Sequence, residues 1–158
     1  MKYEIEVAEQ PRRAIAAVAW TTTGDQFPRQ WRGHLDEVYA CLRQDGTPSG
    51  CNVMLYRDLP ESAGIAVEVG VEVSGPFAPT GPVLPSELPA GLAAVTTHRG
   101  PYEGLGAAHK AVRNWCATCG RELTGERWEV YGDWAEDPSL LETTVFYRLV
   151  QAPPGVGA

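Results

Sequence analysis

The chain has 158 residues, 44% of them hydrophobic and 21% charged, enough for one domain, or two small fused halves, to bury a core without metal or disulfide staples. Its net charge of −7 and the lack of any Lys/Arg cluster exclude the basic patch that nucleic-acid binding needs and favour cations at the surface. No apolar run approaches the roughly 20 residues that span a bilayer, and alternating charges stand where a signal peptide has its apolar core, so the expected location is the cytoplasm.

Residues Lys2 to Glu9 alternate Tyr3, Ile5 and Val7 with charged residues and read as a half-buried strand that Pro11 ends. The run Ala14 to Thr21 is small and apolar, a second strand buried on both faces. Gly24-Asp25 marks a turn, and Pro28 sits where the first turn of a helix tolerates proline. The helix that follows carries Trp31, Leu35, Val38, Tyr39 and Leu42 on one stripe. After a stop at Asp45 to Gly50 come a short strand, Cys51 to Arg57, and a longer one, Gly64 to Ser74, whose Val67, Val69, Val71 and Val73 share the face that belongs against a helix. Residues 75 to 90 hold many prolines and predict a linker with no regular element.

Beyond the linker the order repeats. The strand Gly91 to Thr97 leads through Gly100-Pro-Tyr-Glu-Gly-Leu-Gly106 into a helix with Leu105, Ala108, Val112, Trp115, Cys116 and Cys119 on its stripe, then to two more strands. Ala16-Ala17-Val18 maps onto Ala93-Ala94-Val95, the stripe Leu35, Val38, Tyr39 and Leu42 onto Val112, Trp115, Cys116 and Cys119, and Tyr56 onto Tyr131. The agreement predicts one domain over residues 1–158 made of two pseudo-repeats, about 1–75 and 91–150. The fold class is therefore α+β: a duplicated β-α-β-β unit forming one antiparallel sheet, both helices on one face and a ligand groove on the other.

In the strand Arg127 to Tyr131, alternation puts Glu129, Tyr131 and Asp133 on one side and Trp128, Val130 and Trp134 on the other. A carboxylate beside aromatic rings suits a large apolar cation, because the rings add cation–π attraction to the charge pairing. Met54 stands in the first half where Glu129 stands in the second, an asymmetry that a merely structural polar position does not explain. The four cysteines are expected as thiols, with Cys116 and Cys119 as small core-facing residues of a helix end, and no metal or cofactor is expected. His34 and His109 lie on helices and read as surface residues.

His98 to Gly106, Trp115, Gly120, Gly125 and Trp128-Glu-Val-Tyr131 together resemble the GyrI-like small-molecule-binding domain, the effector-binding domain of AraC- and MerR-type regulators. The resemblance implies a repeated SHS2-like unit and multidrug binding, in which the Glu of the E-x-Y strand, here Glu129, meets lipophilic cations in an aromatic groove. It also implies that Phe146 faces that groove with Thr144 and Arg148. Members often carry an acidic residue where Thr144 stands and an uncharged one where Arg148 stands, and a cation near Arg148 is disfavoured. No helix-turn-helix accompanies the domain, so a complete DNA-binding regulator is not expected.

Three readings follow. In the first, a stand-alone protein captures hydrophobic cations, with Glu129 as counter-ion and Tyr56, Tyr131, Phe146, Met54, Trp20 and Trp134 as the lining. In the second, which the resemblance brings in, the protein is a hydrolase of cyclopropane-containing alkylating natural products, with Glu129 as general base and Tyr131 or Tyr56 polarising the substrate. In the third, it is a gyrase-inhibitor-type module with an unknown protein partner.

Overall fold

The computed structural model describes residues 3–60 and 64–151. Its elements run β1 (Glu6–Gln10), β2 (Arg13–Thr22), α1 (Phe27–Asp45), β3 (Ser49–Asp58), β4 (Ile65–Val73), β5 (Leu84–Leu88), β6 (Gly91–Arg99), a 3₁₀ turn (Tyr102–Gly104), α2 (Leu105–Thr118), β7 (Leu123–Tyr131) and β8 (Glu142–Leu149). A second 3₁₀ turn, Pro138–Leu140, precedes β8. Of the first expected strand, Lys2 lies outside the described residues, and Tyr3 and Ile5 pack on the core before the strand begins. No helix among the described residues is long and apolar enough to cross a membrane.

The strands form one antiparallel sheet in the order β1-β6-β8-β7-β3-β4-β2-β5. Exchanging each strand for its counterpart, β1 with β5 through β4 with β8, reverses that order and leaves it unchanged, so a pseudo-two-fold axis lies between β3 and β7. Directly paired residues share a side, and Val69, Met54, Glu129 and Val145 are successive partners across β4, β3, β7 and β8. That row is the helix face. On it α1 covers Ala16, Val18, Val69 and Val71, while α2 covers Ala94, Val145, Tyr147 and Leu149.

The repeat alignment shifts in detail. Ala16 and Ala94 face the helices whereas Ala93 faces the other side, so Ala94 is the counterpart of Ala16. Both helices end on a left-handed glycine, Gly46 at φ 73° and Gly120 at φ 70°, with a closing bond from Thr47 N–H to the Leu42 carbonyl and from Arg121 N–H to that of Cys116. Leu42 therefore corresponds to Cys116 and not to Cys119, which is exposed. The expected pairing was nearly one helical turn out, an error the stripe cannot reveal because positions three apart share a face.

Two expectations are corrected. The proline-rich segment does form a regular element: β5 pairs with β2 at the sheet edge, the position in a sheet where a proline such as Pro85, opposite Ala16, is tolerated. The face opposite the helices is not an open groove. β1 and β2 stand at opposite ends of the strand order, yet only Pro11 and Arg12 join them, and only Pro89 and Ala90 join β5 to β6. Three Cα steps reach about 11 Å at most, so the sheet curls until its edges approach. Inside the curl Ile15, Ala17, Val53, Leu55, Leu88, Ala93 and Trp128 form a dry core, each large aliphatic side chain contributing about 1.5–3 kcal/mol. A ring of ion pairs flanks it, Arg57 with Glu68 and Glu126, and Arg148 with Glu126.

Candidate functional site

At the pseudo-two-fold axis β3 and β7 present Met54, Tyr56, Glu129 and Tyr131 to the helix face, with Met54 and Glu129 directly opposite each other. Two features keep the helices from closing over them. α1 places Phe27, Trp31, Leu35 and Tyr39 along one bank, and the entry of α2 places Tyr102 and Leu105 along the other. Pro101 holds an extended φ/ψ of −58°/148° before the 3₁₀ turn, and Gly104 lets the turn lie close on His98, whose Cε1 would stand 3.0 Å from a Cβ there. Between the banks lies a cleft of about 740 Å³, in the size range of small-molecule sites. The charged side chains that line it are all acidic: Glu129 at the base, Glu72 and Asp133 further out.

Glu129 is 4% exposed, a burial that is unfavourable for a carboxylate unless donors replace water. Three do. Tyr56 Oη donates to Oε1 at 2.8 Å, Tyr131 Oη donates to the same oxygen at 2.7 Å, and His109 Nε2 lies 2.6 Å from Oε2. Burial, then the charge of Glu129, pushes the Tyr56 and Tyr131 phenols well above the ordinary tyrosine range, so both stay protonated as donors. No arginine pairs with Glu129 among the described residues.

The walls are aromatic. Phe27 meets Tyr56 edge-on at 5.7 Å, and Tyr102 meets Tyr131 edge-on at 5.6 Å. Trp134 stands at the rim, 75% exposed. Near the outer acids, Tyr39 hydrogen-bonds Asn52, while Glu72 accepts from Arg13 at 3.0 Å and from the Cys51 N–H. Asp133 makes no hydrogen bond or ion pair among the described residues.

The cleft thus brings together Glu129, Tyr131, Tyr56, Met54 and Trp134. Trp20 does not line it; the indole stacks behind Phe27 at 6.0 Å and donates to Gln30. Phe146 is excluded by register. Glu129 pairs with Val145, so Phe146 points to the opposite face and stacks on Trp128 at 5.2 Å. Arg148 shares that far face, bonded to Glu126, and has no bearing on charge in the cleft. His109, expected at the surface, is at the heart of the site, with its side chain only 14% exposed. His34 stays near the surface, paired with Glu37. A lone histidine on a helix gives no signal of which role it takes. Trp31 and Tyr39 were legible only as stripe residues, and Phe27 was not singled out; the bulk of these rings, excessive for packing on valines, was the available hint.

A model of the GyrI-like small molecule binding domain matches residues 3–149. No curated protein sequence matches the chain. Among solved structures, the fold is similar to the EcmrR C-terminal domain, at a TM-score of 0.78 and 18% identity over 96% of this chain and 100% of that one. It is similar to SAV2435 bound to tetraphenylphosphonium, at 0.67 and 12%, over 95% and 94% of the two chains. A hydrolase encoded by lin2189 from Listeria innocua shares the fold at 0.58 and 12%, over 93% and 92%.

Proposed function

This chain belongs to the GyrI-like small-molecule-binding domain family, and on that premise we propose that its cleft captures hydrophobic cations, with Glu129 as counter-charge. The observation that carries the reading is a carboxylate at 4% exposure, satisfied by hydrogen bonds, at the base of an aromatic cleft lined by no basic side chain. A cation entering there finds its counter-charge already dehydrated and oriented. It gains cation–π attraction of roughly 0.5–2 kcal/mol for each ring it meets. Tyr56, Tyr131, Phe27, Trp31 and Tyr102 are the proposed walls, Met54 the adaptable floor, and Trp134 a cover at the rim. A fold relative crystallised with tetraphenylphosphonium, a cation of this class, adds support. In this reading residues 1–158 act as one domain whose two pseudo-repeats, about 1–75 and 91–150, each contribute one bank.

Hydrolysis with Glu129 as general base is the second reading, favoured by the fold relative named a hydrolase. It asks more of the site. Oε1 already holds two donors and Oε2 holds His109, so a water to be activated must share Oε2 with His109 or displace a phenol. Calorimetric titration with tetraphenylphosphonium and with neutral triphenylphosphine oxide tests the binding reading. The cation is expected to bind at least tenfold more tightly, and equal affinities refute the counter-charge. Incubation with a cyclopropane-containing alkylating agent tests the other, since ring-opened product requires turnover.

A further inference from the structure

Behind Glu129 runs a chain of side chains from three elements that ends at a second, smaller recess. His109 Nε2 is 2.6 Å from Glu129 Oε2, His109 Nδ1 is 2.7 Å from Tyr147 Oη, and Arg113 Nη1 donates to Tyr147 Oη at 3.0 Å. Tyr147 is 3% exposed, whereas Arg113 is exposed and lines the recess with Asp58, Glu126 and Arg127. We propose that this relay makes His109 a specificity-determining positioning residue: Arg113 and Tyr147 hold the imidazole neutral with its proton on Nε2, so that the Glu129 charge is left for a ligand. The inference rests on the cation-binding reading above.

A guanidinium only donates, so Tyr147 Oη is an acceptor towards Arg113, and its single hydroxyl proton is free to point at His109 Nδ1. Nδ1 is then an acceptor, the ring proton sits on Nε2, and Nε2–H donates to Glu129. Both imidazole nitrogens and the Tyr147 hydroxyl then have partners, and the imidazole is neutral. Burial holds the Tyr147 phenol protonated against the opposing pull of Arg113, which keeps it a donor. An imidazolium in the same place would turn Nδ1–H towards Tyr147 Oη, leave the hydroxyl proton without an acceptor in the relay, and add a positive charge to a relay that already ends in Arg113. The hydrogen-bond partners of His109 are Glu129 from β7 and Tyr147 from β8; Arg113 from its own helix and Arg127 from β7, the latter paired with Asp58 at 2.7 Å, act on Tyr147. A histidine in contact with the acid would otherwise form an internal ion pair, and the base of the cleft would present no net charge to its ligand.

The test is direct on the ligand-free wild-type protein. Long-range ¹⁵N–¹H NMR of His109 at neutral pH is expected to show a neutral ring protonated on Nε2; an imidazolium pattern, or a proton on Nδ1, overturns the proposal. Two variants remove the relay at different points: Tyr147→Phe, and Arg113→Met, which keeps the aliphatic stem of an exposed side chain and loses the donor. Both are expected to let His109 take a second proton and to weaken tetraphenylphosphonium binding about tenfold, a modest share of what one unit charge at contact distance exerts in a protein. Triphenylphosphine oxide binding is expected to stay unchanged. A parallel loss for both ligands, or no loss for the cation, overturns the proposal. If wild-type protein binds neither ligand, the cation reading fails, while the NMR result still reports on the relay alone.

Discussion

Replacing Glu129 by glutamine removes the charge and almost nothing else. The amide oxygen can accept from His109 Nε2–H in place of Oε2, and the amide NH₂ can face the two phenols, whose oxygens accept. The phenol protons then have the Met54 sulfur, 3.4 Å from Tyr56 Oη and 3.7 Å from Tyr131 Oη, as a weak alternative. Folding stability is expected to change by about 1 kcal/mol or less, because lost charge-assisted bonds are offset by relief from burying an ion. Binding is another matter. A unit charge about 4 Å from the carboxylate, at an effective dielectric of about 20, gains roughly 4 kcal/mol. Since the ligand's charge is spread over its substituents and the cleft is open to solvent on one side, about half of that, ~2 kcal/mol, is the working figure, equivalent to ~30-fold in affinity. Calorimetric titration of wild type and Glu129→Gln with tetraphenylphosphonium reads it, alongside melting curves. A variant that melts within about 4 °C of wild type and binds the cation within threefold of it refutes the assignment of Glu129 as counter-ion.

Phe146→Ala separates core from site: loss of its half-buried stack on Trp128 is expected to cost about 2 kcal/mol, or ~4–8 °C in melting temperature, with ligand affinity unchanged, and a selective loss of binding returns Phe146 to the cleft. Gly70→Ala introduces a Cβ 2.1 Å from the Ala16 carbonyl oxygen and 2.9 Å from Ala17 Cβ, so β2 and β4 must separate; a loss above ~3 kcal/mol, seen as a drop of ~6 °C or more, is expected, and a wild-type melt shows that the sheet yields there. In an alkaline titration, Tyr56 and Tyr131, raised by burial and then by Glu129, keep protons that the unfolded chain releases near pH 10, so stability is flat below that pH and falls above it. Their phenolate absorbance is expected only with unfolding, and smooth ionisation of all six tyrosines near pH 10 in the folded protein contradicts the burial of the tyrosine pair.

What periodicity encodes was legible: both helices, the succession of strand, helix and two strands along each half, and the common side of Tyr56, Met54, Glu129 and Tyr131 follow from stripes and alternation. Which side of the sheet would be covered was not. β2 and β6 are small and apolar on both faces, because one face meets a helix and the other lines the curl, so the sequence of either strand is silent about orientation. The curl itself depends on two-residue connections, each begun by a proline, Pro11 and Pro89, that tie strands from opposite ends of the sheet order. Phe146 was misplaced for a related reason. Alternation within β8 was correct, but the relation between β7 and β8 is a register, and a one-residue difference moves a ring to the other face.

The asymmetry of Met54 and Glu129 has a cause that only the register exposes. The two positions are counterparts in the halves and also direct partners across β3 and β7, so they meet at the axis itself. Their Cβ atoms are held about 5 Å apart by pairing alone. Were both acidic, two carboxylates would face each other with little water between them, and one would hold a proton. The paired position can therefore supply a full negative charge only if one half keeps the acid and the other gives it up. Methionine is a fitting replacement because its sulfur lies within reach of the same two phenols that serve Glu129 while its apolar stem extends the floor of the cleft. Tyr56 and Tyr131, which stand off the axis and do not oppose each other, meet no such conflict, and both halves retain them. Symmetry thus supplies the two matched donors, and breaking it at one residue supplies the charge that they hold.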